Sequence, residues 1–365
     1  MEILFDTISV LEALYDFQIS TNAVAEQTVV VYHNYDKTKD AEILTEGVKD
    51  ILNAIIDGIK AFIAKIKELL NKCFMTLNSY TMEYEKIVEK YGAQISDKKI
   101  EPFEIEGFTF TTLIVNKPND SVVYDIVEEF NNDIVKFNRY SSEHIRTMCA
   151  EAMSPSRLNR LRGNVLGNDV LIQAQDFKKY VYSYYRNGFE APTKMTIDNQ
   201  VIKSIVDNNP KLLSEKKAAK LEKDTLMNAL NRMEKFFSVK VASLYDDVQK
   251  TYNVSALQKT GYTADESRSI EESKLADLTS YMNMRYQQVV ELSNIISVIY
   301  VERMAAIKDQ INQNSQILRM VIRKSGVVAE NKSIVSSVIE EANIYPPTPN
   351  PNWAPILDGV SVVRG

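Results

Sequence analysis

The stretch that decides the fold is Thr263–Gly326, TADESRSIEESKLADLTSYMNMRYQQVVELSNIISVIYVERMAAIKDQINQNSQILRMVIRKSG. Its apolar residues recur at the three- and four-residue steps of an amphipathic helix, at Leu275, Leu278, Met282, Val289, Leu292, Ile296, Ile299, Ile307, Ile311, Leu318 and Val321. Thr263-Ala264-Asp265-Glu266 matches a capping box that opens a helix, and Gly326 can end one. The pattern predicts one helix of roughly 60 residues, about 90 Å long.

A second helical pattern precedes this one, after Pro210. Its apolar positions are Leu221, Leu226, Leu230, Met233, Phe237, Val241, Leu244, Val248 and Tyr252. Two such helices in succession predict a long αα-hairpin, which we place within residues 191–345. We therefore expect a mainly α fold, in which long amphipathic helices form a helical bundle with this extended hairpin.

A third helix is predicted over residues 47–92, with Gly92 as its stop. We interpret its apolar stripe as an oligomerisation face in a coiled coil or a bundle, formed by Ile55, Ile59, Phe62, Ile66 and Leu69. Residues 47–72 also carry five Lys against three acids, so contact with a membrane interface is the alternative. The lack of Trp in this segment favours packing against protein.

The remaining segments are shorter. Residues 93–118 hold the strongest strand signal, which predicts a β-hairpin turning at Glu106-Gly107. Residues 119–190 should form a small helical region with helices near 120–138, 141–152 and 155–162. Residues 346–365 begin with a proline-rich run that ends at Pro355, and they should be an extended arm, with Pro347 and Trp353 as docking residues.

Charge is distributed unevenly along the 365 residues, which contain 49 acidic and 43 basic side chains. Residues 1–46 hold nine acids and two bases, a balance of −7, so the rest holds 40 acids and 41 bases, or +1. The net charge of −6 therefore hides an acidic N-terminal segment joined to a nearly neutral body.

Composition excludes several classes of site. With two Cys and two His, the chain can build neither a disulfide framework nor a thiolate zinc site. It contains no GxxxxGK[ST] or GxGxxG nucleotide-binding loop and no apolar run long enough to cross a membrane. The spacing of His144 and Cys149 places them on different faces of a helix. We expect no catalytic residues, no metal and no cofactor, and hence no enzyme.

Two basic stretches raise nucleic-acid binding as a weaker prediction. Arg157, Arg160 and Arg162 precede a glycine loop. Further along, cations alternate with aromatic residues at Phe177, Lys178, Lys179, Tyr180, Tyr182, Tyr184, Tyr185 and Arg186. Because Phe177, Tyr180, Val181 and Tyr184 share one helical face, packing in a core is the more ordinary interpretation.

Leu44-Thr45-Glu46-Gly47 lies where the acidic segment ends. It resembles the cleavage signal of prohead proteases of large tailed bacteriophages, which is Leu or Ile, any residue, Glu, and a cut before a small residue. The resemblance implies a propeptide over residues 1–46 and a mature chain beginning at Gly47. A second match ends at Glu341 and Ala342 and would release the arm, whereas a third, at Ile270–Ser273, falls inside a predicted helix.

The helical architecture is also similar in style to virion structural or internal head proteins of such phages. We therefore expect a non-enzymatic structural protein of a virion, assembled in the host cytoplasm, that forms a homo-oligomer and binds other virion proteins. The alternative is a phage-encoded effector that binds a host protein or membrane through residues 47–72.

Overall fold

The computed structural model describes residues 41–108, 118–167, 171–173, 176–177, 180–181 and 193–326. Predictions for residues 1–40 and for the arm after Gly326 lie outside these residues. Within them the protein is mainly α, as predicted, and its strands form a single two-stranded sheet.

Helix α1 runs over Ala41–Asp97 and contains 57 residues. Side chains on its apolar stripe are buried from Leu52 to Ile95, which explains why this segment is helical throughout. The helix begins before the predicted residue 47 and continues past Gly92. Gly92 is therefore no stop, since the helix runs on to Asp97. A Cβ placed at Gly92 would lie 3.5 Å from Val206 Cγ1, in ordinary van der Waals contact.

Three shorter helices follow, close to their predicted limits: α2 at Ser121–Lys136, α3 at Ser142–Ala152 and α4 at Pro155–Val165. A 3₁₀ turn, Phe137–Arg139, extends α2. The side chains of Ser141 and Ser154 accept hydrogen bonds from the third residues of α3 and α4, as N-caps do. Local sequence is enough to set these boundaries.

The small sheet corrects the predicted hairpin. Strand β1, Phe103–Phe108, pairs antiparallel with β2, Thr193–Ile197, in the register Phe103 to Ile197 and Ile105 to Met195. Glu106-Gly107 therefore lies within β1 and forms no turn, and the register is irregular between Ile105 and Phe108. The strand that we predicted after the turn begins at Phe108, which is the last residue of β1, and its continuation from Phe110 to Val115 lies outside the described residues.

The predicted αα-hairpin is confirmed, although its first arm is interrupted. That arm comprises α5 at Asn199–Asp207, α6 at Asn209–Phe236, a π-helical turn at Phe237–Val241, α7 at Ala242–Tyr252 and α8 at Val254–Lys259. The return arm is α9, Ala264–Ser325, a single helix of 62 residues. At its start, Thr263 and Glu266 make both capping-box hydrogen bonds, and Gly326, at φ +63°, follows its end.

The described residues divide into two compact units. Unit 1 consists of the described residues within Met1–Phe74, Asn116–Lys179 and Ala219–Val301, and unit 2 of those within Met75–Val115, Tyr180–Ala218 and Glu302–Gly365. In unit 1, the ring of Phe130 packs 5.1–5.5 Å from the rings of Phe236, Phe237 and Tyr281. In unit 2, the buried Tyr84 hydroxyl donates to the Ile205 carbonyl at 3.2 Å.

Candidate functional site

The predicted cleavage signal lies inside a helix. The backbone of Leu44–Gly47 belongs to the first two turns of α1. The objection that applies to the Ile270–Ser273 match, which lies within α9, therefore also applies here: a helical backbone must open before a protease can bind it. The match at Glu341 and Ala342 and the docking residues Pro347 and Trp353 lie outside the described residues.

The predicted oligomerisation face is buried inside the chain itself. Ile55, Ile59, Phe62, Ile66 and Leu69 are each at most 9% exposed. The helical periodicity was correct, but intramolecular packing already covers the stripe. We correct this prediction, because a face that forms the chain's own core cannot also bind a second copy without unfolding.

The same burial bears on the membrane alternative for residues 47–72. An amphipathic helix binds a bilayer by inserting its apolar face, and in this helix Ile59, Phe62 and Ile66 point into the protein core. Among the described residues, no helix combines the length and the apolar character needed to span a bilayer.

The first basic stretch is mostly neutralised by acidic partners. Arg157 makes two hydrogen bonds to the carboxylate of Glu129, at 2.7 and 2.8 Å. Arg162 is buried, pairs with Glu291 and donates to Asn159 Oδ1 at 2.7 Å. These guanidinium groups already have protein ligands in place of phosphates.

The second basic stretch is only partly described. Phe177 and Val181 are buried, in keeping with packing in a core, and Tyr180 is half-buried. The remaining residues of the prediction, Lys178, Lys179, Tyr182, Tyr184, Tyr185 and Arg186, lie outside the described residues.

The most distinctive constellation in unit 1 surrounds Arg285 of α9, and sequence analysis missed it. The guanidinium group is buried and donates to Asp133 Oδ2 at 2.7 Å, to Glu129 Oε2 at 3.2 Å and to Gln288 Oε1 at 2.9 Å. The Tyr281 hydroxyl donates to the same Asp133 oxygen. We call this set the Arg285 network.

Further polar contacts extend the Arg285 network along α9. Toward the start of α9, Ser142 Oγ donates to Asp277 Oδ2 at 2.6 Å, and Lys274 Nζ donates to the Tyr140 carbonyl at 2.6 Å. Further along, Glu291 pairs with Arg162 of α4. Asp277, Tyr281 and Arg285 recur every fourth residue, so a polar stripe of α9 faces α2, α3 and α4.

The electrostatics of this region keep the Tyr281 hydroxyl and the Cys149 thiol in their neutral, protonated forms. Burial raises the pKa of the Tyr281 hydroxyl, Arg285 acts to lower it, and the hydrogen bond to Asp133 raises it further. Burial also raises the pKa of the Cys149 thiol, which disfavours the nucleophilic thiolate despite the positive charge of Arg285. The network is built like a set of buried structural ion pairs.

His144 lies on α3 and packs against an aromatic ring. Its imidazole centroid is 4.5 Å from the ring centroid of Tyr140, and its backbone N–H donates to the Ser141 side chain. In the part of the chain that the structure describes, no three His, Cys, Asp or Glu side chains come together as metal ligands.

The Arg285 network could have been suspected from its spacing. Asp277, Tyr281 and Arg285 fall between apolar residues of the long helical pattern. When such a helix is buried, its polar and charged side chains need hydrogen-bond or ion-pair partners. Their partners Asp133 and Glu129 lie about 150 residues away in sequence, and no local pattern connects them.

Neither the sequence nor the structure of this chain matches a known protein family, a curated protein or a solved structure.

Proposed function

We propose that this chain is a non-enzymatic structural or assembly protein of a large tailed-phage virion, inside the head or at the neck, made with an acidic leader that is removed after Glu46. The observation that carries the proposal is a coincidence in the sequence. The Leu44-Thr45-Glu46-Gly47 signal falls at the point where a segment of charge −7 meets a body of charge +1. An acidic segment of this kind can hold a chain on basic partners, or away from DNA, until it is removed.

The fold supports a scaffold role. Every residue of α9 from Tyr281 to Ile322 is buried or half-buried, so this helix is enclosed by other parts of the chain. Polar groups on it are held by specific partners, such as Glu291 by Arg162 in unit 1 and Arg303 by Glu215 in unit 2. Buried pairs of this kind favour one packing arrangement over alternatives, as a scaffold requires.

The buried stripe of α1 changes where assembly contacts are expected. Since Ile59 and Phe62 belong to the chain's own core, we assign contacts with further copies and with other virion proteins to the arm 346–365. Pro347 and Trp353 are the docking residues proposed for it, because proline lowers the entropy cost of ordering an extended peptide and Trp supplies a large apolar anchor.

Mass spectrometry of purified virions tests the proposal. The expected result is a peptide whose N-terminus is Gly47, produced without a protease that cuts after Glu, together with loss of peptides from residues 1–46. The control is the same chain expressed alone, which should keep its leader. Absence of the chain from particles would overturn the proposal, and an intact leader in mature particles would overturn the processing step.

A further inference from the structure

We propose that helix α1 protects the Glu46–Gly47 peptide bond, so that this bond becomes a protease substrate only when the first turns of α1 unfold. The inference deepens the proposed function and rests on it for its biological meaning. Its physical basis is the position of the bond within α1, Ala41–Asp97, after the helix has begun and ahead of the buried Leu52. Proteases cut such segments from a locally opened state.

The packing of α1 defines how far the opening needs to extend. Lys49 and Asp50 are exposed, and Leu52, at 4% exposed, is the first residue of α1 whose side chain the structure shows as buried. Ile55, Ile56 and Ile59 follow it into the core. Unfolding that stops before Leu52 leaves this core intact, whereas unfolding beyond it exposes large apolar side chains to water.

Gly47 makes the opening easier. Glycine inside a helix lowers helix stability by about 0.5–1 kcal/mol relative to alanine, because its unfolded backbone has more freedom. Gly47 contributes the amide nitrogen of the Glu46–Gly47 peptide bond. The weakest position of the first turns therefore coincides with the bond to be cut.

Cleavage should also shorten α1 permanently. Glu42 and Glu46 lie in the first two turns, where acidic residues are favoured by the helix dipole. After the cut, a new α-amino group at Gly47 and the ammonium of Lys49 would occupy the start of the helix, where positive charge is disfavoured. We infer that the helix of the cut chain begins close to Leu52. The two chain ends produced by the cut therefore no longer belong to one helix.

A glutamate-specific endopeptidase tests this protection independently of any phage. The full chain and a synthetic peptide of residues 40–52 would be digested side by side, and cleavage at Glu46 followed by mass spectrometry. A peptide of this length has little helix in water, so we expect it to be cut faster than the full chain. Gly47→Ala should slow cleavage of the full chain a further two- to fivefold, since 1.4 kcal/mol corresponds to a factor of ten.

The same substitution in the peptide is the matched control, because it reports any direct effect of Ala on the protease. Equal rates for the chain and the peptide at Glu46, or an equal effect of Gly47→Ala on both, would overturn the inference. The outcome is separable from the proposed function: protection by α1 can hold in a chain that never enters a virion, and a Gly47 N-terminus in particles can occur without protection.

Discussion

Arg285 is the residue on which the polar packing of unit 1 depends. Its side chain is 5% exposed, and its partners Asp133 and Glu129 are 17% and 44% exposed. Removing one member of a buried charge pair leaves the other uncompensated in a medium of low polarity, which costs more than the pair itself contributes. Arg157, which donates to both carboxylate oxygens of Glu129, is 40% exposed and so lies nearer to water than Arg285 does.

We expect Arg285→Met to lower the free energy of unfolding by about 3–5 kcal/mol, because it leaves Asp133 buried without its cation. The double variant Arg285→Met with Asp133→Leu should recover most of this loss. Arg157→Met is the matched control and should cost at most about 1 kcal/mol, as exposed pairs do. Urea unfolding followed by circular dichroism measures these three variants, the single variant Asp133→Leu and the natural chain, and additive effects of Arg285→Met and Asp133→Leu would contradict the buried network.

Tyr84 provides a prediction in the alkaline range. Burial raises its pKa to about 12, against a partial opposing effect of the Asn314 side chain. In the unfolded chain tyrosine ionises near pH 10, so between pH 10 and 12 the unfolded state loses a proton that the folded state keeps. Tyr84 should therefore leave stability unaffected below pH 9 and contribute a loss of up to about 3 kcal/mol as the pH rises to 12.

Tyr84→Phe removes the contribution of Tyr84 to this dependence and the hydrogen bond to the Ile205 carbonyl, whereas Tyr281, whose pKa burial also raises, remains. At pH 8 the variant should be less stable by about 1 kcal/mol, the usual contribution of one buried hydrogen bond. Above pH 10 its stability should fall less steeply than that of the natural chain. Chemical unfolding at pH 8 and pH 11 measures the difference, and parallel losses in both chains would disprove the assignment to Tyr84.

At the scale of elements, the π-helical turn Phe237–Val241 interrupts the first arm of the hairpin. A π turn is one extra residue accommodated in an α-helix. It keeps Phe237 and Val241 buried while Val239 faces water, 57% exposed. The rings of Phe236 and Phe237 both pack on Phe130 within unit 1.

Deleting Val239 should therefore convert this turn to regular α-helix and leave the flanking segments facing the core. We expect a loss of no more than about 2 kcal/mol, whereas deleting Asn228, an exposed residue inside α6, should cost more than about 4 kcal/mol. The second deletion rotates one part of the helix by about 100° relative to the other. Thermal unfolding of both variants is the measurement, and equal losses would contradict the interpretation of the turn.

For the whole molecule, the division of charge is the property with the widest consequences. Residues 1–46 contribute −7 to a total of −6, so their removal changes the sign of the net charge to +1. Proteins near zero net charge associate more readily, since mutual repulsion is weak. Cleavage after Glu46 would thus change how readily copies of the chain associate.

We expect a chain of residues 47–365 to associate at protein concentrations at which the full chain stays dispersed, with the difference shrinking as salt is added. Sedimentation velocity at about 50 and 500 mM salt measures this. A full-length variant with the seven acids of residues 1–40 changed to amides separates charge from chain length, because it should behave like the shortened chain. Unchanged association after removal of the leader would rule out a role for its charge.

Some features of this protein are determined by local sequence. The three- and four-residue spacing of apolar side chains predicted α1 and α9, and Thr263 with Glu266 predicted the start of α9. Periodicity and capping report contacts between residues a few positions apart, so they can be read without knowing the fold.

Only the tertiary structure decided which surfaces meet. It paired β1 with a strand about 90 residues away, buried the α1 stripe in the chain's own core, and joined Arg285 to Asp133. An apolar stripe shows that a helix must be covered but not by what, because the hydrophobic effect has no direction. These partners were set by packing between segments that are distant in the sequence, and no local sequence pattern identifies them.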